Sequence, residues 1–421
     1  MTHVGPNTRF IGSRPSASRY GTSVPVDDFR ARVVDSQRAV SLDDEVQAEL
    51  RELEAMHRLR VPRIVDGAQG PRITLDGVDV LNFASNDYLG LAGDRRIARA
   101  GANALDEDGA GAGASRLIVG NHRRHVQLER ELADWLQVPA ARFFNSGYAA
   151  NVGVITALAR EGDVIFSDEL NHASIIDGCR LSRATVVVYP HRDIATLERE
   201  LARRPGRRRL VVSETLFSMD GDIAELDVID GLCRRHDAAL VLDEAHAIGV
   251  WGPEGRGLAA KAGIRPEVLV GTCGKALGAF GAFVATSRAV ADLLWNRARP
   301  FVFSTALPPS VPAMVHAAVQ LIRSGEGDEL RRSLSARATQ LRDAIGSPAS
   351  GAIVPLVVGD DARVMELSAR LLQARIFVQG IRPPTVPRGT ARLRIAVSAK
   401  HSETDVSLLV ASLRDAMSHF T

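Results

Sequence analysis

The sequence predicts an α/β protein, with a mostly parallel sheet sandwiched by helices and a smaller C-terminal α/β domain. Three observations predict it. Short runs rich in Val, Ile and Leu alternate with helical stretches through the middle of the chain. Each run is short, apolar and followed by a helical segment, which suits a sheet covered on both faces. The chain has 421 residues, 45% hydrophobic and 24% charged, enough for two or three domains and a sizeable core.

The elements follow in order. Residues 1–45 stand apart, because RFIGSRPSASRYGTSVPVDDFRARVV is rich in Ser, Arg, Pro and Gly and lacks acids until Asp27. That composition suits a targeting peptide or a mobile N-terminal extension, and the extension is the preferred reading. A helix begins near residue 42 in SLDDEVQAELRELEAMHRLR, with Ser41 as N-cap and acids in the first turn. The segment 46–95 carries this helix and a hairpin, RITLDG with DVLNFA, turning at Asp76-Gly77. The large domain, 96–305, holds the amphipathic helix VQLERELADWL, the strand RFFNSG and the helix YAANVGVITALAR. The strands DVIFSD, TVVVYP, RLVVSE, ALVLDE, VLVGT and FGAFVATS follow. The small domain, 306–421, opens on the helix PPSVPAMVHAAVQLIRS and continues with AIVPLVVG, IFVQGI and ARLRIAVS as strands. The basic run RRPGRRR at 203–209 lies between a helix and a strand and reads as a solvated loop.

Bulk charge excludes some classes. Net charge is +2, from 52 basic and 50 acidic residues, which argues for neither nucleic acid nor a membrane surface as partner. No apolar run approaches the roughly 20 residues that cross a bilayer. The three cysteines, Cys179, Cys233 and Cys273, form no CxxC pair, so a reducing, cytoplasmic setting fits better than a disulfide framework or a zinc site.

Several turns carry residues suited to chemistry. VLVGTCGKALG places Thr272 and Lys275 in a small-residue turn after a buried strand. A lysine in a turn is ordinarily solvated, but a desolvated one has a lowered pKa and forms imines. It is not a P-loop lysine, since that motif needs Gly at 269 and Ser or Thr at 276, where Leu269 and Ala276 stand. LVLDEAHAIGVWG puts Asp243 at the end of a buried strand, where α/β sheets bind ligands. A carboxylate there needs a cationic partner, and a protonated pyridine nitrogen would serve. His246 reaches the same region. DEAH also occurs in helicases, but no phosphate loop accompanies it here. FFNSGYAAN starts a helix at Ser146-Gly147-Tyr148, whose N–H groups attract phosphate. SDELNHASIIDG contributes His172, which either stacks on a planar heterocycle or is a plain helix-start histidine. VSETLFSMDGD contributes Ser218 and a turn. DGAGAGASRL gives only GxGxxA with no strand before it and reads as a loop. NHRRH has no further ligands nearby, so no metal is expected.

NFASNDYLGL, SRLIVGNHRRHVQLE, NSGYAAN, NHASIIDGCRLS, LFSMDGD, DEAHAIGVWGPEGRG, TCGKALG, FSTALPPS and RPPTVPRGTARLR occur in this order. Together they resemble the α-oxoamine synthases of the fold-type-I pyridoxal-phosphate enzymes, from about residue 50 to the end. The resemblance implies an aspartate-aminotransferase-like fold, pyridoxal 5'-phosphate as cofactor and a homodimer with shared active sites. It implies Lys275 as the Schiff-base lysine, Asp243 facing the pyridine nitrogen, His246 near the phenolic oxygen and His172 stacked on the ring. Gly147, Tyr148 and Thr272 fall on phosphate contacts and Ser218 borders the ring. Ser304 and Thr305 reach the phosphate of the neighbouring subunit's cofactor. Arg394 holds the substrate carboxylate, and Arg58, Asn86 and Thr385 match further substrate-side positions. RPPTVPRGTARLR most resembles the biotin-pathway branch, which implies L-alanine and a pimeloyl thioester of CoA or of a carrier protein as substrates. Glycine with acetyl-CoA is the alternative within the family. A plain aminotransferase is argued against by RPPTVPRGTARLR and NHASIID, and a lysine-less partner subunit by Lys275, Asp243 and His172. Cys273 and the long N-terminal extension depart from the family pattern.

Overall fold

The computed structural model describes residues 41–418, so the extension expected over 1–45 lies almost wholly outside the described residues. The chain divides into two units, one running to Leu53 and the other from Glu54 to Thr421. The first contributes most of helix Leu42–Ala55, which is exposed along its whole length. It starts as its sequence predicts. Ser41 Oγ accepts the Asp44 amide at 3.2 Å and the Asp44 carboxylate accepts the Ser41 amide at 3.2 Å, a reciprocal cap. It ends before the predicted HRLR tail, where His57 takes a φ of 55° that no helix continues through.

In the second unit the described residues form three sheets. Strands β1 (Val65–Asp66), β2 (Arg72–Leu75) and β3 (Val78–Asn82) make the expected antiparallel hairpin and its extension, turning at Asp76 and Gly77. The central sheet is built from β4 (Ala140–Phe144), β5 (Val164–Asp168), β6 (Thr185–Tyr189), β7 (Arg209–Glu214), β8 (Ala239–Asp243), β9 (Val268–Thr272) and β10 (Ala282–Thr286). Its order is β4-β10-β9-β8-β7-β5-β6. From β9 to β6 every neighbouring pair is parallel. Side chains alternate along each strand, and here both sides are apolar. Ile165, Leu210, Val212, Val241 and Val270 join one core with Ala150, Val154 and Ile175. Phe166, Val211, Leu240, Leu242 and Leu269 join the other with Leu128, Leu132 and Trp135.

Three features differ from the sequence expectation. No helix follows β9: the chain turns through 273–281 and returns as β10, antiparallel to both β9 and β4. The run IFVQGI is split between sheets. Its β12 (Ile376–Phe377) pairs parallel with β3, and its β13 (Gln379–Ile381) pairs with β14 (Ala391–Ala396), which also pairs with β11 (Ile353–Gly359). The buried Val378 marks the crossing, its carbonyl accepting Ser368 Oγ at 2.6 Å. Helix Gly325–Ile345 was not anticipated, because only a stripe of Leu330, Leu334, Ala338 and Leu341 is apolar and buried.

The parallel strands end on one side of the sheet with Asp168, Glu214, Asp243 and Thr272. That edge carries the chemistry.

Candidate active site

Lys275 stands in the turn after β9, its Nζ 2.9 Å from His246 Nε2. Burial pushes its amine down to about 8, against the pull of the Asp243 and Glu214 carboxyls. An amine with that value is a usable nucleophile and base near neutral pH. His246 is buried, and burial together with the charges of Lys275 and Arg394 holds its ring well below the usual histidine range. Its Nδ1 lies 2.6 Å from the Tyr88 hydroxyl, which lies 3.1 Å from Asn86 Oδ1. Arg394 Nη2 donates to the same hydroxyl at 3.5 Å. One chain of polar atoms thus runs from the lysine to the arginine expected to hold a substrate carboxylate.

Asp243 ends β8 and is buried. Its Oδ1 accepts the Ala245 amide at 2.8 Å and its Oδ2 accepts Asn151 Nδ2 at 2.7 Å. Glu214 lies beside it in register across β7 and β8. Burial, and then the Asp243 charge, push Glu214 up to about 8, and its Oε1 has no hydrogen-bond partner.

Helix Gly147–Leu158 begins at this edge. Ser146 caps it by accepting the Ala149 amide at 3.1 Å, leaving Gly147 and Tyr148 in the first turn, whose amides have no carbonyl within the helix. A Cβ at Gly147 would stand 2.6 Å from Thr272 Cγ2, so only glycine allows this approach of helix and strand end. The Tyr148 hydroxyl donates to Asp177, so the main chain is what Tyr148 offers an anion. His172 caps helix Ala173–Ser182, with Nδ1 3.2 Å from the Ser174 amide and 2.8 Å from Ser174 Oγ, and the residue remains exposed.

These groups fit a phosphorylated pyridine aldehyde. A helix start with an obligatory glycine suits the phosphate, a strand-end carboxylate suits a protonated ring nitrogen, and a neutral amine suits the aldehyde.

Arg394 lies buried on β14 and donates from Nε to the Ser218 carbonyl at 2.6 Å. Two residues away, Arg392 donates to Met219 O and to Asp220. Gly221, at φ 68°, sits so close to β11 that a Cβ would stand 2.3 Å from Ile353 O. The loop bearing Ser218 is therefore pressed onto the β11–β14 sheet. Arg58 and Thr385 belong to another cluster: Arg58 pairs with Asp361 at 2.8 Å, and Arg60 donates to Thr385 at 3.2 Å. Ser304 is half-buried and Thr305 exposed, with the Thr305 carbonyl accepting Asn145 Nδ2 at 2.9 Å.

Sequence reasoning missed Tyr88, Asn151, Ser174 and Glu214. Glu214 had a signal, since it closes an apolar strand as Asp243 does. Asn151 lies one turn after Gly147, but on a helix buried almost throughout, where period carries no information.

Comparison with known proteins accords with this geometry. Residues 78–413 match the family described as aminotransferase class I and II. The 8-amino-7-oxononanoate synthase of Geobacter sulfurreducens is 48% identical over 377 residues, covering 87% of this chain and 96% of that protein. A serine palmitoyltransferase from S. paucimobilis, solved with bound PLP and myriocin, superposes with a TM-score of 0.84 at 29% identity, covering 89% and 97% of the two chains. An 8-amino-7-oxononanoate synthase from Francisella tularensis gives 0.70 at 27% identity, covering 81% and 99%. By sequence match and by fold, the chain belongs to the class I and II aminotransferase family, in the α-oxoamine synthase group of fold-type-I pyridoxal-phosphate enzymes.

Proposed function

We infer that this enzyme condenses L-alanine with the pimeloyl group of pimeloyl-CoA or a pimeloyl-carrier protein. It releases carbon dioxide and the thiol carrier and yields 8-amino-7-oxononanoate for biotin synthesis. The 48% identity to a synthase of that name, over 87% of this chain and 96% of that protein, carries the reading. Pyridoxal 5'-phosphate, when bound, supplies an aldehyde that captures amines and a ring that disperses carbanion charge. The Gly147 and Tyr148 amides with Thr272 would hold the phosphate, and Asp243 would favour a protonated ring nitrogen. Ser218 O takes Arg394 Nε and the Tyr88 hydroxyl one Nη2 hydrogen, which leaves Nη1 and the other Nη2 hydrogen for the alanine carboxylate through charge-assisted hydrogen bonds. Lys275 Nζ takes the Cα proton of alanine and later returns one to the product carbon. His246 Nε2, 2.9 Å from that amine, orients it.

The assembly is a homodimer, in which Ser304 and Thr305 reach the partner's cofactor phosphate. Leu117, Ile118 and Val119 are 51%, 69% and 76% exposed, and the bridge between Ser115 and Thr305 places this apolar run beside those two residues. Among the described residues, no helix is long and apolar enough to cross a membrane. The three cysteines are unpaired and buried, which supports a cytoplasmic setting.

The test is CoA release by the cofactor-loaded protein, comparing pimeloyl-CoA plus L-alanine with acetyl-CoA plus glycine and succinyl-CoA plus glycine. Clear preference for the first pair is expected. Activity only with another pair overturns the substrate assignment and keeps the site. Silence with all three, and with pimeloyl-carrier protein, overturns the activity itself.

A further inference from the structure

A single amide joins the two sides of the site. Asn151 Nδ2 is 2.7 Å from Asp243 Oδ2 and 2.9 Å from Ser174 Oγ. Ser174 Oγ is in turn 2.8 Å from His172 Nδ1, which also accepts the Ser174 amide at 3.2 Å. Asn151 is 2% exposed and Ser174 is 0% exposed, so water does not compete for these bonds.

The two ends of this chain fix its directions, Asp243 as acceptor and the Ser174 main-chain N–H as donor. A carboxylate only accepts, so the NH2 side of Asn151 faces Asp243. Its second hydrogen goes to Ser174 Oγ. The Ser174 main-chain N–H can only donate, so His172 Nδ1 is an acceptor and the serine hydroxyl turns its one hydrogen to it. That nitrogen accepts twice and carries no proton, which places the ring proton on Nε2.

We propose that Asn151 and Ser174 are positioning residues that lock His172 as the neutral Nε2–H tautomer, tying its Nδ1 back to Asp243 and aiming an N–H donor away from the buried chain. The proposal rests on the function inferred above and deepens it by fixing the proton on the ring expected to cover the cofactor. Partial desolvation by the neighbouring elements, and the nearby charge of Lys275, lower the His172 pKa, which agrees with a neutral ring. The Asp243 charge acts in the opposite direction. The groups facing His172 are thus Asp243, Lys275, Ser174 and, through the serine, Asn151, together with His246 and the Glu214 carboxyl, which accepts the His172 main-chain N–H. A neutral donor stacks on a cationic ring without charge repulsion and still offers a hydrogen bond to a substrate oxygen.

The test is nitrogen NMR of the cofactor-loaded enzyme labelled at histidine, with the His172 signals assigned by their loss in His172→Gln. The native enzyme should show a proton on Nε2 and none on Nδ1 across the neutral range. A protonated Nδ1 in the native enzyme overturns the proposal, and this reading depends on no variant folding. Ser174→Ala removes the hydroxyl donor to Nδ1 and keeps the main-chain one. The ring should then titrate about one pH unit higher, and the acid limb of the kcat profile should move with it. Ser174→Thr, which keeps the hydroxyl, should restore both. An unchanged tautomer and unchanged titration in Ser174→Ala also overturn it. The NMR arm needs no acyl donor, so failure of the substrate assignment leaves it readable.

Discussion

Lys275 is desolvated and its amine titrates near 8, well below an ordinary lysine. The sign is simple: below that pH the amine is protonated and cannot attack an aldehyde. The cofactor-free protein should therefore capture pyridoxal phosphate covalently at a rate that rises with pH and levels above about 8, as followed by the change in visible absorbance. Lys275→Ala should capture none and lose turnover by at least about a thousandfold, since nucleophile and proton carrier go together. A capture rate still climbing steadily to pH 10, or turnover kept in Lys275→Ala, contradicts this assignment. Lys275, Asp243 and His246 were singled out in the sequence because each ends or follows a buried apolar strand, whereas His172 was singled out by the family resemblance. Tyr88 was not. Its contact with His246 joins positions 158 residues apart, and nothing local in NDYLGL marks that hydroxyl as a hydrogen-bond partner for a distant ring.

At the scale of elements, the loop after β7 is held from two sides. Arg392 pins Asp220, and His191, just after β6, bridges Asp168 at 3.0 Å and Asp222 at 2.9 Å while its ring meets the edge of Phe217. Burial opposes the charge on His191, but the hydrogen bonds and charges of Asp168 and Asp222 win and raise its pKa to about 10. A folded-state value above the unfolded one, about 6.5, stabilises fully below that pH. The stabilisation is lost as pH rises through about 10. His191→Gln keeps a hydrogen-bonding side chain without the charge. In urea unfolding at pH 7 it should cost roughly 2–3 kcal/mol, less than a fully buried pair because the site is part-exposed. The gap to the native protein should close as pH passes about 10. A gap that stays constant with pH would show that the charge contributes nothing. Strand positions were legible because buried parallel strands are continuous apolar runs. The fate of IFVQGI was not, since six residues read as one short strand and nothing local shows that each half pairs with a different sheet.

For the whole molecule, the informative surface is the apolar run Leu117–Val119. A folded enzyme rarely leaves three consecutive large apolar side chains this exposed unless something covers them. Phe303, 71% exposed, precedes Ser304, and the bridge between Ser115 and Thr305 fixes that segment beside the run. One surface thus carries both the exposed apolar run and the pair expected to reach another subunit's phosphate, so in the proposed homodimer association and cofactor binding would share a cause. Ile118→Lys places a charge in the patch that the proposed dimer would cover, where an unpaired charge is costly to desolvate. It should convert the dimer to monomer in light scattering, leave far-UV circular dichroism unchanged and weaken pyridoxal phosphate binding by tenfold or more, roughly 1.4 kcal/mol. Thr305→Ala separates the two effects: it should weaken the cofactor without dissociating the dimer. Tight cofactor binding by an Ile118→Lys monomer would show that each chain completes its own phosphate site, and a native protein that is monomeric would remove the shared site altogether.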